Sequence, residues 1–189
     1  MEKLDARKRY TQMVLKQSFL KLLKEKPVNK ITVKEVCALA QLNRATFYAH
    51  YSDCFALMES IENELIDAFE KSLRYVNSFD VTALIEAIYD MVNQNQAVCR
   101  VLILENTNST VLMRMIALAK DDSIAYWRKE LPNASETDIE MMYTHLPNGM
   151  MHIVVEGYDK YSKDEIIRFV SRVVKASLPL FQSPQRPLA

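Results

Sequence analysis

An all-α fold is predicted by three features of the sequence. The 189 residues include only two glycines and six prolines, too few chain-breakers for many short strands and tight turns. Apolar residues recur at i, i+3, i+4 and i+7 over most of the length. Two S/T-x-x-E capping boxes, Thr32/Glu35 and Ser162/Glu165, mark helix starts through their own side chains. With 49% apolar and 25% charged residues, the chain has the composition of a soluble globular protein and can bury a substantial core. No apolar run approaches the length of a membrane span, and the start, Met1 to Arg9, is charged and polar rather than a secretory signal. Cys37, Cys54 and Cys99 lie far apart with no CxxC pair, which favours a reducing cytoplasm over a disulfide framework.

The elements follow in order. A first helix is expected from about Asp5 to Lys24, with Val14, Leu15, Phe19, Leu22 and Leu23 on its core face; Pro27 and Asn29 end it. The arm before it carries Lys3, Arg7, Lys8 and Arg9, which either run along phosphates or form a frayed, solubilising end. A second helix starts after Thr32 and places Val33, Val36, Cys37 and Ala40 on one face. The pattern breaks at Gln41 and Leu42. Asn43 then caps a short helix that carries Arg44, Thr46, Tyr48 and His50 among Ala45, Phe47 and Ala49. Ser52 is the expected cap of a fourth helix reaching about Val76, striped by Met58, Ile61, Leu65, Phe69 and Leu73.

Three further helices are expected at Val81 to Asn93, Gln96 to Glu105 and Ser109 to Leu131, with Asn-rich joints at Asn93 to Asn95 and Asn106 to Asn108 and with Pro132 as the stop. Ser135 to Asp159 reads as one long helix with an irregularity at Pro147-Asn148-Gly149. A last helix follows the Ser162 cap and ends at Pro179, leaving 183–189 as a disordered tail.

Charge divides this series of helices. Residues 1–52 hold eleven Lys/Arg and four Asp/Glu, a net +7; the rest hold thirteen and twenty, a net −7. A basic head on an acidic body is the electrostatic outline of a DNA reader with a second domain. Within the basic part, residues 32–51 place a capped helix before a small, donor-rich one. That is what a helix-turn-helix reader of the major groove requires.

The run Ile31-Thr32-Val33, Val36, Ala40, Leu42-Asn43-Arg44, Thr46-Phe47-Tyr48 and His50-Tyr51 resembles the N-terminal domain of the TetR family of bacterial transcriptional regulators, from about Tyr10 through Leu57. Two positions depart from the family pattern. Gln41 stands where many members have glycine, and Cys54 where many have a phosphate-contacting lysine. The resemblance implies a helix-turn-helix domain over 1–52 and a helical ligand-binding and dimerisation domain over 53–182. It implies a homodimer on a pseudo-palindromic, double-stranded operator, most simply an effector-responsive repressor. It also implies that the fourth helix transmits the occupancy of a small-molecule site to the heads, since a small tilt changes their spacing against two fixed half-sites. An activator or adaptor binding a protein partner through its second domain is the alternative.

Thr32, Asn43, Arg44, Thr46, Tyr48 and His50 are the candidate DNA contacts. Arg44 suits a base, because a guanidinium pairs bidentately with guanine. Thr46 suits a thymine methyl or a phosphate, and Thr32, Tyr48 and His50 suit phosphates. Phe47 and Tyr51 are expected in the core. An effector pocket is expected among Tyr89, Met115, Trp127, Met142 and His145, against the alternative that the second domain's methionines are plain core. Gly149, His152, Phe169 and Val173 are the candidate dimer contacts; the competing reading is a thick intramolecular core. His145, Gly149, His152 and Glu156 share a stripe, but the two histidines stand two turns apart, so it reads as a cavity wall or dimer seam rather than a metal site. Cys54, in a first helical turn, is either a low-pKa redox sensor or an inert thiol. No glycine-rich phosphate loop, G-x-S-x-G or HExxH occurs, so neither an enzyme nor a cofactor is expected.

Overall fold

The computed structural model describes residues 2–73, 81–105 and 110–182. Most of those residues are helical, with no strand among them. Helix α1 (Glu2–Leu23) is followed by a 3-10 turn (Val28–Lys30), α2 (Val33–Ala40) and α3 (Arg44–Tyr48), which form the head. The body comprises α4 (Cys54–Leu73), α5 (Val81–Gln94), α6 (Gln96–Cys99) with a π-helical turn (Arg100–Leu104), α7 (Thr110–Leu118), α8 (Lys120–Glu130), α9 (Glu136–Gly157), α10 (Lys163–Ser177) and α11 (Pro179–Gln182).

Helix α1 starts three residues before its expected start, so the basic arm is its first turns rather than a separate strap. Leu15 and Phe19 are fully buried, with Val14, Leu22 and Leu23 packed partly against the core. The cap of α4 is Asp53 rather than Ser52. Its Oδ1 accepts from Ala56 N at 2.8 Å, while Ser52 is exposed. Both residue types cap well, and a carboxylate adds a favourable charge at the positive end of the helix dipole. The stripe on α4 holds: Ile61, Leu65 and Phe69 are buried, and Met58 and Leu73 flank them. The expected end near Val76, the Asn106 to Asn108 joint, Ser109 and the tail 183–189 lie outside the described residues.

Two expected helices are each divided. Gln96 to Glu105 widens into a π turn after Cys99, closed by Glu105 N donating to Arg100 O at 3.0 Å. The segment ending at Leu131 breaks at Ala119 between α7 and α8. Pro147 lies inside an unbroken α9. Beside it, Asn148 Nδ2 donates to Thr144 O at 2.8 Å, and His152 Nδ1 hydrogen-bonds Asn148 O at 2.9 Å. Three boxed caps, Thr32, Ser135 and Ser162, begin α2, α9 and α10.

Packing runs α1 on α2 in the head, and α4 on α5 and α7, α5 on α10 and α8 on α9 in the body. The buried residues form one cluster that crosses from head to body along α4, through Cys54, Leu57, Ile61 and Leu65. Helix α4 is therefore the element whose buried face is shared by head and body.

Candidate functional site

The head is assembled by reciprocal hydrogen bonds at its helix ends. Thr32 Oγ1 donates to Glu35 Oε2 at 2.7 Å and accepts from Glu35 N at 3.3 Å, and Thr32 N donates to the same carboxylate at 2.9 Å. Lys26 Nζ donates to Glu35 Oε1 at 2.5 Å. Hydrogen bonds from Lys26 and then Thr32 lower the Glu35 carboxyl to about 2. Helix α2 ends at Gln41, whose φ of 55° and ψ of 40° are left-handed. That geometry lets Leu42 N donate to Cys37 O at 3.0 Å and turns the chain toward α3. Asn43 Oδ1 then accepts from both Thr46 N at 2.7 Å and Thr46 Oγ1 at 3.0 Å.

These bonds divide the six candidate DNA residues. Thr32, Asn43 and Thr46 build the helix ends with their own side chains. Arg44 and Tyr48, one turn apart on α3, are exposed beside exposed Ala45 and Ala49. Arg44 makes no hydrogen bond or ion pair among the described residues, and Tyr48 is 57% exposed with its ring edge-on to Phe47. His50 is half-buried, and its Nδ1 has no hydrogen-bond partner among the described residues. Phe47 and Tyr51 are buried as expected, with ring centroids 5.9 Å apart. The small side chains at 45 and 49 leave α3 a shallow surface from which a long guanidinium and a phenol project, the shape that enters a major groove.

Cys54 is not the low-pKa thiol that a first-turn position suggests. It is 5% exposed, and burial followed by the charge of Asp53 pushes its thiol up. Packing beneath the head outweighs the helix dipole here. Cys37 and Cys99 are likewise buried and free.

A cavity of about 490 Å³ lies in the body, within the roughly 300–1,000 Å³ usual for small-molecule sites. Helices α4, α5, α7, α8, α9 and α10 all contribute to its wall. Met115 and Trp127, two of the residues expected at an effector pocket, line this cavity, as do Met150 and Met151. Tyr89, Met142 and His145 do not line it. Tyr89 instead stacks on Tyr158 at 5.2 Å, Met142 is buried in the core, and His145 is exposed. Helical phase explains the last two: the cavity side of α9 carries Tyr143, Leu146 and Pro147. The Tyr143 hydroxyl donates to Ile116 O, and burial, aided by Asp121, raises the phenol to about 12.

The four candidate dimer contacts lie toward the outside of α9 and α10. Phe169 is 55% exposed, Val173 and Gly149 are exposed, and His152 is half-exposed. A Cβ added at Gly149 would meet nothing within 4 Å. A thick intramolecular core thus uses Ile166, Val170 and Val174 but not Phe169 or Val173. No group of three or more His, Cys, Asp or Glu side chains suited to a metal occurs among the described residues. No described helix is long and apolar enough to cross a membrane.

Sequence reasoning missed several residues at these sites. Asp53 caps α4. Arg114 on α7 reaches α4, donating through Nη2 to Asn63 Oδ1 at 2.8 Å and through Nη1 to Glu62 Oε2 at 3.3 Å. Lys16 on α1 pairs with Glu64, the next residue of α4. Glu70 and Asp122 stand at the rim of the cavity. The signal available for Asp53 was that aspartate caps as well as the serine before it; the other contacts join residues about fifty apart, which no periodicity reports.

No protein-family model matches the chain. A 59-residue stretch, 31% of the chain, is 30% identical to the uncharacterized HTH-type transcriptional regulator YxbF of Bacillus subtilis (strain 168), and it spans only 16% of that protein's length. Among solved structures, a TetR transcriptional regulator from Streptococcus agalactiae 2603V superposes with a TM-score of 0.64 at 23% identity, covering 90% of this chain and 96% of that one. A structure from Pseudomonas aeruginosa PAO1, solved as that of a candidate transcriptional regulator, gives 0.59 at 12% identity, covering 90% and 93%. With a capped helix-turn-helix on an all-helical body and a likeness that spans nearly both chains, the fold is that of the TetR transcriptional regulators.

Proposed function

We propose that the protein is a cytoplasmic transcriptional regulator. It acts as a homodimer that binds a pseudo-palindromic, double-stranded operator and represses until a small-molecule effector enters the body. The observation that carries the DNA-binding part is the exposed Arg44/Tyr48 face on a helix whose other side is anchored by Phe47 and whose start is fixed by Asn43. The +7 charge of residues 1–52 supplies the attraction to phosphates. Two heads are needed for two half-sites, and the apolar residues Phe169 and Val173 left outside the core support pairing through α9 and α10.

Coupling runs through α4. Arg114, the residue before cavity-lining Met115 on α7, holds α4 at residues 62 and 63; Lys16 on α1 holds it at Glu64. A ligand that moves α7 therefore pulls α4 where α1 is attached. Its effect is limited by its differential affinity for the two head spacings. The open cavity favours this reading over an adaptor, whose body has no use for one.

Selection of bound DNA from a random pool tests the proposal. A two-fold symmetric site is expected. Recovery of only asymmetric or unrelated sequences by a folded, dimeric protein would refute operator binding. In sedimentation, Phe169→Glu should convert dimer to monomer; an unchanged dimer would remove α10 from the interface.

A further inference from the structure

The chemistry of the cavity restricts what enters it. This step rests on the effector reading above. Its deep wall is apolar and aromatic, including Phe69, Ile88, Met115, Trp127, Tyr143 and Val174. Trp127 and Tyr143 lie 5.8 Å apart with their rings tilted by 51°. Among the described lining residues there is no lysine, arginine or histidine, whereas two carboxylates, Glu70 on α4 and Asp122 on α8, line it and are exposed, which puts them at its rim. The Tyr143 proton is already given to Ile116 O, so that hydroxyl offers an incoming ligand a lone pair.

A carboxylate or phosphate ligand would meet no cation in this wall and would approach two like charges. A cation meets the reverse. Its positive head meets exposed carboxylates instead of cations, and its apolar body leaves water against the aromatic and aliphatic wall. We propose that the cavity binds a monocationic amphiphile, with its apolar body inside and its ammonium-type head at the Glu70/Asp122 rim.

Trp127 is the chain's single tryptophan and lines the cavity, so its fluorescence reports occupancy in the full chain without a label. Three probes of equal chain length, decyltrimethylammonium, decanol and decanoate, are titrated below their aggregation limits. Decyltrimethylammonium should give a saturable change at about tenfold lower concentration than decanoate. In Glu70→Gln/Asp122→Asn, the affinity ratio of the ammonium to the alcohol should fall about tenfold. Both positions are exposed, and thermal melting checks that the double variant stays folded. Equal affinity for all three probes, or an unchanged ratio in the double variant, overturns the cation preference and leaves the effector cavity standing. Saturable binding of none of them by folded protein overturns the proposal together with the effector reading.

Discussion

In the head and at its junction with the body, helix ends are fixed by side chains: Thr32 and Glu35 start α2, Asn43 starts α3 and Asp53 starts α4. In the middle of the body, from Asn95 to Leu131, no such bond is made at the start of α6, the π turn or α8. Those elements begin and end where packing lets them. The five-residue α3 is far too short to persist alone and stands because a cap and a buried phenylalanine hold it. The contrast matches the roles proposed for the two regions. A surface that reads DNA gains from one rigid geometry. A wall that must admit a ligand gains from helices whose boundaries can shift, and α7 and α8 are both walls of the cavity.

Substitutions can break or sharpen this contrast. The largest effect is expected from Phe47→Ala, which empties a fully buried site in the head. It should cost about 3–5 kcal/mol in denaturant titration and abolish DNA binding. Arg44→Ala should leave stability unchanged and lose about 1–3 kcal/mol of discrimination at one base position, read by competition between operator variants. Equal discrimination by the variant would show that Arg44 does not read a base. Removing the cap with Asn43→Ala should cost about 1 kcal/mol of stability in the same titrations. Its DNA affinity should fall as well, since α3 frays where it meets the groove.

Gln41→Gly should act in the opposite direction. Gln41 is the one non-glycine residue with positive φ among those described, and relieving it should stabilise the head by about 0.5–1 kcal/mol after the entropy of glycine is subtracted. A destabilised variant would mean that the glutamine side chain contributes more than its backbone costs. The smallest effect concerns pH. Because Glu35 is lowered from 4.5 to about 2, the stability it adds is complete above about 4.5 and is lost as pH falls toward 2. Thermal melts across that window should fall more steeply in the native protein than in Glu35→Gln.

Much of the head was legible in the sequence because its signals are local. Capping pairs are three residues apart, Phe47 shows itself by its phase between Arg44 and Tyr48, and the charge excess needs only counting. Even there, Ser52 drew the cap one residue early, since serine and aspartate are equal candidates until the backbone direction is known. In the body, Ile61, Leu65 and Phe69 on α4 and Ile166, Val170 and Val174 on α10 followed from periodicity. The pocket was harder. Of the five residues expected at an effector pocket, Met115 and Trp127 line the cavity and Tyr89, Met142 and His145 do not, because an apolar or aromatic residue on a helix fits a core, a cavity or a stacked pair equally well.

The sequence alone determined the all-helical class, the order of the helices, the caps of α2, α3 and α10, and the division into a basic head and an acidic body. All of these depend on residues within a few positions of each other, or on sums over a segment. Tertiary structure decided the rest. It buried Cys54 and raised its thiol, joined Arg114 and Lys16 to neighbouring residues of α4, opened the π turn and the break at Ala119, and brought Glu70 and Asp122 to the wall of one cavity. Each of these depends on which helix faces come together across tens of residues, and pattern along the chain holds no record of that.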